Sequence, residues 1–237
     1  MPFAGVMSPS SAGPLAVLFD IDGTLIDSNY LHIDAWDRAF VTVGHPVDAW
    51  RIHRAIGMDS GKLLERLLGD DADALGDTVK DAVKKEHDRH YSSTTDRLRP
   101  FASARDLLRE LAKRGRTVVL ATSAPQHELD ALLAVLDVSD AVDAVTSGED
   151  VATAKPEPDL INVALDRAGV TADQAVMVGD SVWDISSAAR AGVASIGVLS
   201  GGYGAEELLA AGAAAVYDDV ADLLAHLDDS PIMHDKT

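Results

Sequence analysis

Two carboxylates, Asp20 and Asp22, stand where an apolar run at residues 15–19 stops, with Gly23 and Thr24 directly after them. Carboxylates are rarely buried unless paired or bound to metal, so an apolar strand ending in two of them does not read as core. Three further apolar runs end in polar groups. One stops at Thr122 and Ser123, a short one is followed across a loop by Lys155, and one stops at Gly179 and Asp180, with Asp184 a turn further on. Brought to one place, these side chains are three or four carboxylates, two hydroxyls and one ammonium. Carboxylates sharing a crevice repel, and a hard divalent cation such as Mg2+, bound through oxygen, removes that cost. Hydroxyls and amides at a helix start form a cradle for an anion, and Lys155 adds positive charge. Such a set suits a phosphoryl group, whose oxygens need neutralising. Asp20, placed in line, could attack phosphorus. Asp22, two residues on and turned the other way, could protonate the leaving oxygen and later activate water.

The elements that must position these groups follow from periodicity. From residue 101 onward strands and helices alternate: strands at 117–121, 144–146, 175–178, 194–198 and a weak one at 214–217, with helices at 101–114, 125–136, 158–168, 183–191, 205–211 and a last one to 227. Alternation of this kind implies an α/β fold, a Rossmann-like parallel sheet with helices on both faces, whose strand ends converge on one edge. Residues 28–96 differ. Ile33, Trp36, Phe40 and Val43 mark one face of a helix at 29–43, with Ser28 or Asn29 as N-cap and Gly44 as stop. Further helices are expected at 47–56, 60–68 and 73–91. The expected organisation is a leader at 1–14, disordered, an α/β core at 15–27 and 97–227, an inserted all-helical segment at 28–96 and a mobile tail at 228–237.

Composition narrows the partners. The 237 residues carry a formal net charge of −19, which argues against nucleic acid or an anionic membrane. An anionic substrate must therefore be attracted locally. The chain has no Cys, which excludes disulfides, zinc–thiolate sites and a Cys nucleophile. No apolar run reaches the roughly 20 residues of a membrane span, and residues 1–14 lack the basic and apolar regions of a signal peptide. The default expectation is a cytoplasmic protein, and nothing demands more than a monomer.

The segments DIDGTLIDS, ATS at residues 121–123, AKPEPD at 154–159 and VGDSVWD at 178–184 resemble, in order and spacing, the four motifs of the haloacid dehalogenase superfamily. The resemblance covers residues 15–227, and within the family it looks like the phosphoglycolate phosphatase and β-phosphoglucomutase branch with a small helical cap. It implies a Mg2+-dependent phosphatase acting on a small phosphorylated metabolite through an aspartyl phosphate. Asp20 would be the nucleophile and a Mg2+ ligand; Asp22 would be the acid/base, its backbone carbonyl on the metal. Thr122 and the Ser123 amide would hold phosphate. Lys155 would hold the charges of nucleophile and phosphate. Asp180 would ligate Mg2+, with Asp184 and Thr24 in support. The namesake dehalogenases lack an acid/base Asp two residues after the nucleophile, so Asp22 points to phosphate chemistry. The alternatives are a sugar phosphomutase of the β-phosphoglucomutase type and a regulator that binds phosphometabolites without turnover. The mutase reading is weakened because the cation expected just after the G-x-S of the cap loop is absent and Lys62 is the first one.

Other signals have two readings each. His32 and Trp36 match an H-x-x-A-W pattern of this branch and either face the active site or pack within the cap. Arg54 and Lys62 either approach the substrate or sit solvated at a helix–helix turn. The segment GMDSGK at 57–62 is no P-loop: it lacks a residue between the glycines and a preceding strand. His87 and His90 read as a solvated helix face, and residues 201–204 (GGYG) as a surface loop near the site entrance.

Overall fold

The computed structural model describes residues 15–69, 71–153 and 155–234, the side chains of 71–75 excepted. Six strands, β1 (Ala16–Phe19), β2 (Thr117–Ala121), β3 (Ala144–Thr146), β4 (Ala175–Gly179), β5 (Ala194–Val198) and β6 (Ala215–Tyr217), form one parallel sheet in the order β3-β2-β1-β4-β5-β6. Register aligns Phe19 with Leu120 on one side and Val178 on the other. The residues that follow all three strands therefore leave the sheet at one level, beside the point where strand order reverses.

Side chains alternate along each buried strand, and the two faces carry separate apolar layers. Val17, Phe19, Val118, Leu120, Val176 and Val178 pack with helices α5 (Ala104–Lys113), α6 (Gln126–Leu136) and α10 (Val220–Ala225). Ala16, Leu18, Val119, Ala121 and Met177 pack with α7 (Asp159–Ala168) and α8 (Val182–Arg190). The helix α9 (Ala205–Ala211) covers the β5–β6 edge through Leu208.

Between β1 and β2 in the chain lie α1 (Asn29–Val43), α2 (Ala49–His53), α3 (Ser60–Leu68) and α4 (Asp71–Ser92). They enclose an apolar core of their own, with Phe40, Ile52, Ala55 and Leu64 fully or almost fully buried. Asp59 caps α3, its carboxylate accepting from the amides of Gly61 and Lys62. Gly76 interrupts α4 at φ 69°, and Ser103 at φ 61° delays α5 to Ala104, three residues later than periodicity suggests. Helix α2 is shorter than the expected 47–56, the chain turning after His53.

The segment after Asp228, expected to be mobile, is docked through Met233. Ile232 is fully buried in the main core with Met233 against it, and the Ser230 hydroxyl bridges the Leu227 carbonyl and the Ile232 amide. An apolar residue after Pro231 supplies an anchor that the preceding Asp-rich run conceals. The expected leader, residues 1–14, and residues 235–237 lie outside the described residues.

Candidate active site

Asp20 follows β1 and is 6% exposed. The Lys155 ammonium, 1% exposed, pairs with Asp20 and lies 2.8 Å from Asp184 Oδ1. The Ser181 amide and hydroxyl both donate to the other Asp184 oxygen, at 3.1 and 2.6 Å, closing a capping box at the start of α8. Asp180 accepts from Thr24 Oγ1 at 3.0 Å and from Asn29 Nδ2 at 2.8 Å. The three carboxylates Asp20, Asp180 and Asp184 are buried together, each offering an oxygen within 4.8 Å of the others.

Burial, with Asp184, Asp180 and Asp22 nearby, pushes the Asp20 carboxyl well above its ordinary range despite Lys155. Burial and then Asp184 push Asp180 up to about 7, against the hydrogen bonds from Asn29 and Thr24. Among the described residues Lys155 is the one ammonium paired with this group of three carboxylates. A second cation with an all-oxygen preference fits the deficit, and that donor set is the one Mg2+ takes.

Asp22 is half-buried and has partners different from those of Asp180. Its Oδ1 accepts from Ser28 Oγ at 2.5 Å and lies 3.5 Å from His32 Nε2. Burial alone would raise its pKa; the His32 and Ser28 hydrogen bonds, with the His32 and Lys155 charges, outweigh burial and hold it below the usual value. Ser28 occupies the N-cap position of α1 but makes no side-chain cap there, because its hydroxyl serves Asp22. Asn29, equally open as a cap, serves Asp180. Thr122 Oγ1 accepts from the Ala124 amide at 3.0 Å, which folds the chain after β2 into a turn. The neighbouring Ser123 hydroxyl is buried without a hydrogen-bond partner. A hydroxyl so placed is free to donate to an oxygen of a bound phosphate.

A cavity of about 340 Å³ opens above these groups, between the helical insertion and the strand ends. Asp20, Asp22, Thr122, Ser123, His32 and Trp36 line it, while Lys155, Asp180, Asp184 and Thr24 are not among its lining residues. Both readings of His32 and Trp36 apply at once: they face the cavity and they pack. Tyr91, His32, His87 and Trp36 form a column of stacked rings, with centroids 3.8 Å apart for His32–Tyr91 and 4.0 Å for Trp36–His87. His87 is thus not on a solvated face. It is 4% exposed, its Nε2 is 3.1 Å from His32 Nδ1, and burial lowers its pKa to about 4. The spacing Val83, His87, Tyr91 marks the inward face of α4 and could have located it.

Arg54 and Lys62 are placed elsewhere than at the substrate. Arg54 pairs with Glu207 of α9 and lies 4.2 Å over the Tyr203 ring; Lys62 pairs with Glu157 at 2.5 Å. Neither lines the cavity, and each ties the insertion to the α/β core. Lys84, Asp88, His127, Glu128 and Glu149 line the cavity instead, none of them anticipated. They lie on α4, α6 and the loop after β3, with no local motif to mark them.

The glycine-rich segment 201–204 is also more than a surface loop. Gly201 is buried, and a Cβ there would overlap Asp180 Oδ2, while Ser200 Oγ donates to the Gly23 carbonyl at 2.6 Å. Gly201→Ala should therefore displace Asp180. The expected result is a rise of at least about tenfold in the Mg2+ concentration for half-maximal activity, at little cost in kcat at saturation. Titration of turnover with Mg2+ measures it; an unchanged midpoint would remove Asp180 from the metal site.

The sequence model described as "haloacid dehalogenase-like hydrolase" matches residues 14–192. A phosphoglycolate phosphatase of Rhodospirillum rubrum is 36% identical over 219 residues, 89% of each chain. A solved hydrolase from Pseudomonas syringae superposes with a TM-score of 0.84 at 33% identity, covering 90% of this chain and 98% of that one. A β-phosphoglucomutase from Clostridium difficile gives 0.79 at 22% identity over 91% and 96%, a likeness of fold alone.

Proposed function

Since the chain belongs to the haloacid dehalogenase-like hydrolases and is a phosphatase, we propose that it hydrolyses a small phosphorylated metabolite through an aspartyl phosphate on Asp20, with Mg2+ held by Asp20, Asp180 and the Asp22 carbonyl. The observation that carries the reading is the gathering of Asp20, Lys155 and the Ser123 hydroxyl at one strand edge, with Asp20 and Ser123 lining the cavity. When bound, Mg2+ would neutralise charge on the phosphoryl oxygens and on the carboxylates around them.

In the first step an Asp20 oxygen attacks phosphorus and the bond from phosphorus to the leaving oxygen breaks. Asp22 supplies the proton to that oxygen. In the second step Asp22 takes a proton from water, the water oxygen attacks phosphorus, and the acyl phosphate P–O bond breaks, releasing Asp20 and inorganic phosphate. Lys155 and the Thr122–Ser123 turn hold the equatorial oxygens through both steps. Asp22 is held below its usual pKa in this conformation by contacts with Ser28 and with His32 of α1. Its use as an acid accordingly depends on the arrival of the phosphate dianion or on movement of α1. The helical insertion acts as the cap that excludes water and reads the leaving group.

The phosphomutase alternative needs a second phosphate grip in the cap. Arg54 and Lys62, the cap cations expected near the substrate, are engaged with Glu207 and Glu157, which leaves Lys84 as the one Lys or Arg of the described cap residues at the cavity and favours hydrolysis. Rapid acid quench with a 32P-labelled substrate tests the proposal. Label should reach the protein, be removed by hydroxylamine, and require Mg2+, with EDTA abolishing it. Phosphate release without any protein-bound label would refute the covalent route.

A further inference from the structure

The cavity wall beyond the phosphate-binding turn carries a carboxyl group with no evident structural duty. Glu128 is in the first turn of α6, at the third helical position, and is 7% exposed. An acid there usually reaches back to the N-cap amide. The N-cap of α6 is Pro125, which has no amide hydrogen, and no side-chain cap is made. Among the described residues nothing donates a hydrogen bond to the Glu128 carboxylate; its basic neighbours are His127 Nε2 at 3.9 Å and His87 Nδ1 at 4.0 Å. Contacts of that length are too long for hydrogen bonds, so a donor on a bound group would satisfy the carboxylate better than the two imidazoles do.

Its surroundings decide which group. Asp88 and Glu149 line the same cavity, and among the described residues Lys84 is the only Lys or Arg that does. Asp59 also lines the cavity, its carboxylate already capping α3. The part of a substrate that projects past the phosphate thus meets more negative than positive charge, with room for several non-hydrogen atoms. Burial pushes the Glu128 carboxyl up to about 7, so above that pH it is ionised; there a hydroxyl can donate to it, whereas a carboxylate is repelled.

We propose that Glu128 is a specificity-determining residue that turns away phosphomonoesters whose leaving group carries a carboxylate and admits neutral, hydroxyl-bearing leaving groups. The inference rests on the phosphatase reading above. It also departs from phosphoglycolate, the substrate that names the Rhodospirillum rubrum relative.

The test compares 2-phosphoglycolate with 2-hydroxyethyl phosphate, which differ only in carboxylate against hydroxymethyl, with p-nitrophenyl phosphate as a common reference, all with Mg2+ at pH 8, where Glu128 is ionised. For the unaltered protein kcat/KM should favour 2-hydroxyethyl phosphate by at least about tenfold. Glu128→Gln, which keeps the volume and loses the charge, should shrink that ratio several-fold, mainly through KM for 2-phosphoglycolate. Glu128→Lys should invert it; circular dichroism checks that both variants fold, and the Gln variant suffices if the Lys variant does not. Equal or better use of 2-phosphoglycolate by the unaltered protein, or a ratio that Glu128→Gln leaves unmoved, overturns the inference. So does turnover of p-nitrophenyl phosphate with neither small ester accepted. Failure of the phosphatase reading looks different: the unaltered protein would hydrolyse none of the three.

Discussion

Asp20→Asn abolishes turnover of p-nitrophenyl phosphate, with a loss of at least about 10⁴-fold at saturating Mg2+, because the amide cannot form the acyl phosphate. The fold should survive the change. Asn has the size of Asp, and Lys155 keeps its second partner, Asp184, at 2.8 Å. Asp22→Asn separates the two steps. Its side chain is turned toward Ser28 and His32 rather than toward Lys155, so phosphorylation of Asp20 by a substrate with a good leaving group should continue while hydrolysis of the intermediate stalls. A stopped-flow burst of p-nitrophenolate of about one equivalent, followed by a flat steady state, is the expected record. Undiminished steady-state turnover in Asp20→Asn would disprove the nucleophile assignment.

Lys155→Ala should be the most destabilising single change in the site. It removes the ammonium shared by two carboxylates that are 6% and 1% exposed, Asp20 and Asp184. Breaking one side of a buried pair costs about 3–5 kcal/mol, which for a chain of this length corresponds to a fall in Tm of about 10 °C. The loss should vary with pH in a definite direction. Asp20 and Asp180 have pKa values raised in the folded protein, Asp180 to about 7 from an ordinary 3.8. Such groups stabilise the fold below the unfolded value and lose that contribution as pH rises through the folded value. The Tm deficit should therefore be smallest near pH 5 and deepest at pH 8. Mg2+ should restore part of it at pH 8 and little at pH 5. Thermal melts of both proteins at the two pH values, with Mg2+ and with EDTA, measure this; a deficit independent of pH would mean that the carboxylates are not the groups left unbalanced.

The α/β core and its strand ends were readable because the physics there is local. An apolar run that breaks off at Asp20, or at Asp180, announces a buried strand and a polar exit within a few residues. Parallel register then carries those exits to one edge without further information. What could not be read depends on pairs far apart in the chain. Arg54 meets Glu207 across 153 residues and Lys62 meets Glu157 across 95, so two cations that seemed free for substrate are latches. Ser28 and Asn29 looked like a helix cap because Ser and Asn usually are; the demands of Asp22 and Asp180 outrank the cap. His87 was hidden by polar neighbours, though its place between Val83 and Tyr91 gave the helical face away. Glu128 carried no pattern at all, since its importance lies in a missing amide hydrogen at Pro125 and in a wall assembled from α4 and the loop after β3.

Asp59 links two parts of the molecule through a single residue. Its side chain starts α3, while its own amide donates to the Lys155 carbonyl at 2.9 Å. The insertion therefore grips the main chain of the very residue whose ammonium balances the nucleophile. Movement of the insertion away from the α/β core would have to break this hydrogen bond, and would thereby loosen the backbone that carries Lys155.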